Sequence, residues 1–144
     1  MSAAPDRAAR FIALFSDPAH IPAVSKHFGF ELIGLDPDAG TVEAWFSARP
    51  EFLNPNGSVQ GGIVTGFLDE AMSAAAFMGA DLKAAVPTLE MKTSFLRPLT
   101  TPRARALGQV ARMGSSVAFL EGRLWNEDGV LCATATATAA IRPL

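Results

Sequence analysis

Between residues 54 and 70 the chain carries Asn54, Gln60, Gly61, Gly62, Asp69 and Glu70 in a spacing that could do chemistry. Gly61 and Gly62 fall at the start of a long apolar stretch. At the start of a helix the backbone N–H groups lack intrahelical partners, and the dipole there is positive. Without a Cβ, Gly62 would let a carbonyl oxygen approach its N–H closely. A donor aimed at an oxygen that gains negative charge is typically worth ~3 kcal/mol. The same glycines would also serve simply to open the helix or to permit close packing. Asp69 lies seven residues beyond Gly62, on the helical face of Thr65, Gly66 and Ser73. A charged residue inside a buried helix needs a partner or a task. The task would be general-base or nucleophilic work, and the structural alternative is a hydrogen bond to a loop. At ~1.5 Å per residue, Asp69 is roughly 10 Å along the axis from Gly62, so one chain cannot hold both around one carbonyl. Two antiparallel helices meeting along the small-residue face could. Glu70 is turned by about 100° from Asp69, toward Ile63, Phe67 and Phe77. It is expected to cap a sheet or subunit contact, with Lys92 or Arg97 as partner, and it is the second-choice carboxylate.

These residues must be positioned by the rest of the chain, whose 144 residues fit one domain, 1–144. Helical spacing predicts short helices over 5–15 and 22–28, forming an N-terminal helical segment, 1–27. Residues 30–35 and 41–47 read as strands around the Asp-Pro-Asp-Ala-Gly reversal that ends at Gly40. Residues 49–60 read as loop, and 61–81 as one long helix, apolar or small on almost every side and therefore buried. Four further strands are expected over 88–96, 103–113, 117–125 and 130–141. The first alternates Leu89, Met91, Thr93 and Phe95 against Glu90, Lys92 and Ser94, and the last alternates Ala and Thr. The order predicts an α+β fold, an antiparallel sheet with one face on the long helix.

Several classes are excluded. The net charge of −2 argues against a nucleic-acid-binding surface. Cys132 is the only cysteine, which rules out an intramolecular disulfide and a four-cysteine or Cys/His metal cage. His20 and His27 both precede the motif, so a dehydratase or hydratase needing His beside a carboxylate is disfavoured. His27, at a helix end, reads as a surface or capping residue. No Gly-x-Ser-x-Gly elbow, Walker-type loop or dinucleotide glycine fingerprint occurs. Residues 1–16 carry Asp6, Arg7 and Arg10 and do not read as a secretory signal, and the long helix is too charged for a membrane span. Cytoplasm is the expected location. From 91 to 120 there are five basic residues (Lys92, Arg97, Arg103, Arg105, Arg112) and no acidic one. That pattern suits a phosphate-bearing ligand or a solvated sheet edge.

The segment from Asn54 through Gly61-Gly62 to Asp69 resembles the signature of hotdog thioesterases of the phenylacetate-degradation (PaaI-like) family. That signature is an Asn, a loop, His-Gly-Gly or a variant, and an acidic residue seven positions after the second Gly. More loosely, the resemblance covers residues 28–141. It implies a hotdog fold, a curved antiparallel sheet wrapped around one central helix, and an acyl- or aroyl-CoA thioesterase whose site is shared across a homodimer or homotetramer. In that reading Gly62 polarises the carbonyl, Asp69 is general base or nucleophile, and Asn54 lies near the thioester and water. Gln60 replaces the His of many relatives and cannot act as an acid. Gly61 and Thr88 line the substrate, Thr88 taking the place of a water-orienting hydroxyl. Arg97 and Arg112, among the basic strands, are candidates for the CoA phosphates. Asn54 also suits a plain turn, in its Asn-Pro-Asn-Gly context. No metal or cofactor is expected, coenzyme A being part of the substrate, and neither nucleic acid nor membrane is an expected partner. The alternative function is a non-catalytic acyl-CoA sensor of the same fold. Phe67, Phe77, Met72, Met78 and Phe95 could line an acyl pocket or simply form core.

Overall fold

The computed structural model describes residues 6–144. Asp6 caps the first helix, α1 (Arg7–Ser16), by accepting a hydrogen bond from the N–H of Ala9 at 2.7 Å. Pro5, where the sequence opens that helix, lies outside the described residues. A short α2 (Ala23–His27) follows, then the hairpin β1 (Glu31–Asp36) and β2 (Thr41–Ser47). Its reversal is built as an Asx turn. Asp36 Oδ1 accepts from the N–H groups of Asp38 and Ala39 at 2.9 and 3.0 Å. The connection expected as plain loop contains one 3-10 turn, Pro50–Phe52.

The long helix, α3 (Gly61–Gly79), stops two residues short of the expected end. Asp81 and Leu82 turn the chain with φ of 56° and 60°, a left-handed pair that closes the helix without a glycine. Arg10 of α1 and Lys83 both pair with the Asp81 carboxylate and hold this corner. Beyond it come β4 (Thr88–Phe95), β5 (Arg103–Met113), β6 (Val117–Asn126) and β7 (Leu131–Ala140). A minor ladder of β3 (Ala84–Ala85) with β8 (Arg142–Pro143) had no signal in the sequence, two residues being too few to show a period.

The six-stranded sheet is antiparallel throughout and ordered β1-β2-β5-β6-β7-β4. β4 therefore pairs not with β5, its successor, but with β7 at the opposite edge. α3 makes this possible, crossing the sheet face between β2 and β4 and packing on every strand between them. Bulges in the β1, β4, β5 and β7 pairings bend the sheet around the helix. The helix lies very close to the sheet at the Gly108–Gly122 pair, where a Cβ on Gly108 would stand 2.1 Å from the Ala71 carbonyl oxygen. Ala133, Ala135, Ala137 and Ala139 keep the rest of that face shallow, while Thr134, Thr136 and Thr138 point away. Aromatic bulk collects instead around Phe67, which stacks on Phe46 at 5.0 Å and meets Phe28 edge-on at 5.2 Å. Phe67, Met72 and Met78 are fully buried, so the core reading holds for them.

Candidate active site

The loop into α3 is tied at several points. The N–H of Val59 donates to the Leu99 carbonyl at 2.9 Å and that of Gln60 to the Phe52 carbonyl at 2.8 Å. Gln60 is the helix N-cap. Its side-chain oxygen accepts from the N–H of Ile63 at 3.2 Å, and its carbonyl takes the N–H of Val64 at 3.1 Å. No acceptor among the described residues meets the N–H groups of Gly61 or Gly62. Gly62 is exposed, and a Cβ there would crowd the Gln60 amide at 2.8 Å. At Gly61 a Cβ would press on the Phe95 ring at 3.2 Å. The two glycines thus present free donors at the positive end of a 19-residue helix.

Asn54 is engaged in its own turn. Its Oδ1 accepts from the N–H groups of Asn56 and Ser58, and its Nδ2 donates to Ser58 Oγ at 2.9 Å. It nevertheless lines a pocket of about 290 Å³ together with Gly61, Phe95 and Arg97. Arg97 donates to the Leu131 carbonyl at 3.3 Å at the rim of that pocket. Cys132 is buried in the wall, and burial pushes its thiol pKa up, away from nucleophilic use.

Two turns along α3, Asp69 is half-buried and accepts a hydrogen bond on Oδ1 from Thr88 Oγ1 at 2.7 Å. Thr88, given by the family resemblance as a water-orienting hydroxyl, is the first residue of β4 and spends its hydroxyl on this carboxylate. One turn earlier Thr65 donates to Thr93 Oγ1 at 3.0 Å, joining the same helix face to the same strand. Gly62, Thr65, Gly66, Asp69 and Ser73 remain partly exposed, while Val64, Phe67, Leu68, Ala71 and Met72 are buried. Thr65 and Asp69 are tied to β4, and a Cβ on Gly66 would stand 2.9 Å from the Phe28 ring, so this small-residue side of the helix is only partly covered.

Glu70 departs from expectation. Its partner is neither Lys92 nor Arg97 but Ser25 of α2, whose hydroxyl donates to Oε2 at 2.6 Å. Helical rotation aims Glu70 away from β4 and under the N-terminal helices, into a pocket of about 300 Å³ that Phe77 also lines. Burial raises its pKa above the ordinary value of 4.5. The Ser25 hydrogen bond opposes that rise, and the Asp69 charge adds to it. The sequence offered no signal for Ser25, because the α2–α3 contact joins residues 45 positions apart.

The basic residues separate. Arg105 pairs with Glu43 at 2.7 Å and lies over the Trp125 ring, while Arg103 lies over Trp45 and faces Glu127 at 3.7 Å. Both belong to the outer face of the sheet. Lys92 also faces outward, beside Glu121 and Arg123. Arg97 is at the N-terminal end of α3, whereas Arg112 stands on β5 past the bulge near its C-terminal end. Among the described residues no cluster of three His, Cys, Asp or Glu could hold a metal ion, and no helix is long and apolar enough to cross a membrane. His20 pairs with Asp17 at 2.6 Å. His27 gives its carbonyl to Arg49 and packs edge-on to Phe52, away from Asp69.

The description "Thioesterase superfamily" matches residues 56–133. A phenylacetic acid degradation-related protein of Ralstonia eutropha is 35% identical, over 90% of this chain and 98% of its own, with a TM-score of 0.84. A thioesterase family protein of Silicibacter pomeroyi is 27% identical, over 96% of this chain and all of its own (100%), also at 0.84. The Escherichia coli PaaI protein, at 18% identity over 94% and 96%, shares the fold with a TM-score of 0.82. No curated protein matches the sequence. A match over more than half of the residues, a six-stranded sheet around one central helix, and a relative at 35% identity agree: the chain belongs to the thioesterase superfamily and has its hotdog fold.

Proposed function

We propose that the chain hydrolyses acyl-CoA thioesters in the cytoplasm, without a cofactor, as a homodimer or homotetramer whose sites each use two subunits. The observation that carries this reading is the separation of two complementary groups on one helix. Free N–H donors stand at Gly61 and Gly62, and a carboxylate held by Thr88 stands at Asp69, roughly 10 Å further along the axis. A thioester carbonyl is too small to meet both in one chain. A second α3, antiparallel to the first along the stripe of Gly62, Thr65 and Asp69, would supply the missing half to each site.

The edge strand β4 supports such pairing. It is one of the two edges of the sheet, and Leu89 and Phe95 on it and Leu96 just beyond it are each more than half exposed (56%, 56% and 51%). An apolar, unpaired edge is a template for another strand. In the assembled site the Gly62 N–H polarises the thioester carbonyl and stabilises the oxyanion. Asp69 of the other subunit takes a proton from water, or attacks the carbonyl itself, while Thr88 fixes the carboxylate rotamer. Gln60 holds the loop in place as the N-cap, and Asn54 shapes the turn beside the thioester. Arg97, at the rim of the Gly61 pocket, is the better placed of the basic candidates for a CoA phosphate.

The test is complementation. Asp69→Asn and Gly62→Pro proteins are each expected to be nearly inactive. Unfolded together and refolded as a mixture, they should regain about one quarter of parental activity, because half of the dimers are mixed and each has one intact site of two. A mixture as inactive as its parts, with heterodimers shown by mass, would place the whole site in one subunit. Tight acyl-CoA binding by a parent that hydrolyses no acyl-CoA would favour a sensor instead.

A further inference from the structure

Among the large apolar side chains that the sequence offered as pocket or core, Phe95 stands apart. Phe67, Met72 and Met78 are fully buried and Phe77 partly so, whereas Phe95 is 56% exposed. The way β4 tracks α3 explains this. Thr88 meets Asp69, Thr93 meets Thr65, and Phe95 meets Gly61, so the helix partners fall four residues, about one turn, apart. Phe95 shares the helix-facing side of β4 with Thr93, but at Gly61 the helix is only beginning. Its ring therefore overhangs the first turn, in the space where a Cβ on Gly61 would stand 3.2 Å from it. The strand end that carries the ring is pinned, because the N–H groups of Leu96 and Arg97 both donate to the Cys132 carbonyl, at 2.8 and 3.1 Å.

The ring leaves the neighbouring donors unspent, since no acceptor among the described residues meets the N–H groups of Gly61 or Gly62. It also borders the pocket of about 290 Å³ that Gly61, Arg97 and Cys132 line. A group in that pocket that reaches the glycine donors lies against the ring. In a thioester the atom bonded to the carbonyl carbon is a sulfur, which is large, polarizable and a weak hydrogen-bond acceptor. Divalent sulfur makes favourable contacts with aromatic rings, about 5 Å from the ring and often at its edge. We infer that Phe95 is a specificity-determining residue, its ring being the seat of the thioester sulfur, so that the adjoining carbonyl oxygen falls on the Gly61 and Gly62 N–H groups. This rests on the thioesterase reading for the identity of the ligand. The seat favours thioesters over oxygen esters, whose smaller and less polarizable oxygen gains less from the ring.

The experiment compares kcat/KM for butanoyl-CoA and for its analogue in which oxygen replaces the thioester sulfur. Each variant is judged by the ratio of the two, so the intrinsic reactivities of the esters cancel. Phe95→Leu keeps apolar bulk but removes the ring, and should lower the thioester-to-oxygen-ester ratio roughly fivefold, the range of a sulfur–aromatic contact. Phe95→Tyr keeps the ring and should keep the ratio. A ratio unchanged in Phe95→Leu, or one that tyrosine fails to preserve, overturns the proposal, because a merely structural residue would slow both esters alike. Failure of the thioesterase reading shows differently, as no hydrolysis of either ester by the parent. The seat is then tested by NMR with S-propyl-CoA, a thioether that cannot be hydrolysed, and its oxygen counterpart. Shifts at the Gly61 and Phe95 amides, with a preference for the thioether that drops severalfold in Phe95→Leu, support the seat. Equal binding of the two probes by the parent, a preference that survives in Phe95→Leu, or shifts elsewhere overturn it.

Discussion

Asp69 and Glu70 are neighbours in sequence and belong to different regions of the molecule. Asp69 lies on the open flank of α3, its carboxylate held by a hydroxyl from the edge strand β4 and the small-residue stripe beside it. Glu70, about 100° around the helix, lies on the flank that α1 and α2 roof over, with Ser25 as its hydrogen-bond donor. Burial raises the pKa of Glu70. One flank leaves a carboxylate partly exposed, and the other builds a chamber around one. Adjacent acids on a helix are not a pair sharing a task. The elements packed on each flank decide what each can do.

The comparison breaks most sharply at Asp69. Asp69→Asn keeps size and most hydrogen bonds but removes the charge, and turnover should fall by ~10²–10⁴-fold, as for general-base removal. Steady-state hydrolysis paired with acyl-CoA affinity on the same variant checks this, with affinity expected to persist. A rate equal to the parent's would move the reaction to the Glu70 flank. Gly62→Pro deletes one N–H at a first-turn position where proline is tolerated, at the cost of displacing the Gln60 amide. More than tenfold loss of kcat is expected, with the fold retained by circular dichroism. Unchanged turnover would remove Gly62 from the oxyanion role.

A smaller effect is expected at Thr88. Thr88→Val deletes the hydroxyl on Asp69, a hydrogen bond worth ~1 kcal/mol, so kcat should fall about fivefold with KM little changed. Thr88→Ser should restore most of it, and a loss that serine fails to rescue would mean the methyl packing matters instead. The smallest effect falls on the other flank. Because the folded pKa of Glu70 is raised, its contribution to stability is present below the unfolded value and lost as pH rises through the folded one. Parental stability should therefore decline with rising pH in the window just above 4.5, relative to Glu70→Gln. Urea unfolding of both proteins across that window measures it. Parallel pH curves would mean that Glu70 is better solvated than its burial implies.

Much of the fold was legible because periodicity survives in a single chain. The Ala/Thr alternation read as a strand is β7, whose alanines face the helix and whose threonines face outward, and Gly61-Gly62 opens the helix. The turn chemistry at Asp36 and Gly40 likewise needed only local rules. The short ladder of β3 with β8 and the 3-10 turn at Pro50–Phe52 left no pattern long enough to read.

In the candidate site, residue type and spacing marked Asp69 and the glycine N–H groups, since helix geometry and helix-end chemistry are local properties, while Thr88 entered only through the family resemblance. What only the tertiary structure decided was every partner distant in sequence. Ser25 reaches Glu70 where Lys92 or Arg97 was expected, and Arg103 and Arg105 are taken up by Trp45, Trp125, Glu43 and Glu127 on the outer face. β4 sits at the edge opposite β1 because α3 carries the chain across the sheet. The physical reason is the same in each case. A side chain's periodicity fixes which way it points, but packing between elements far apart in the chain fixes what it meets.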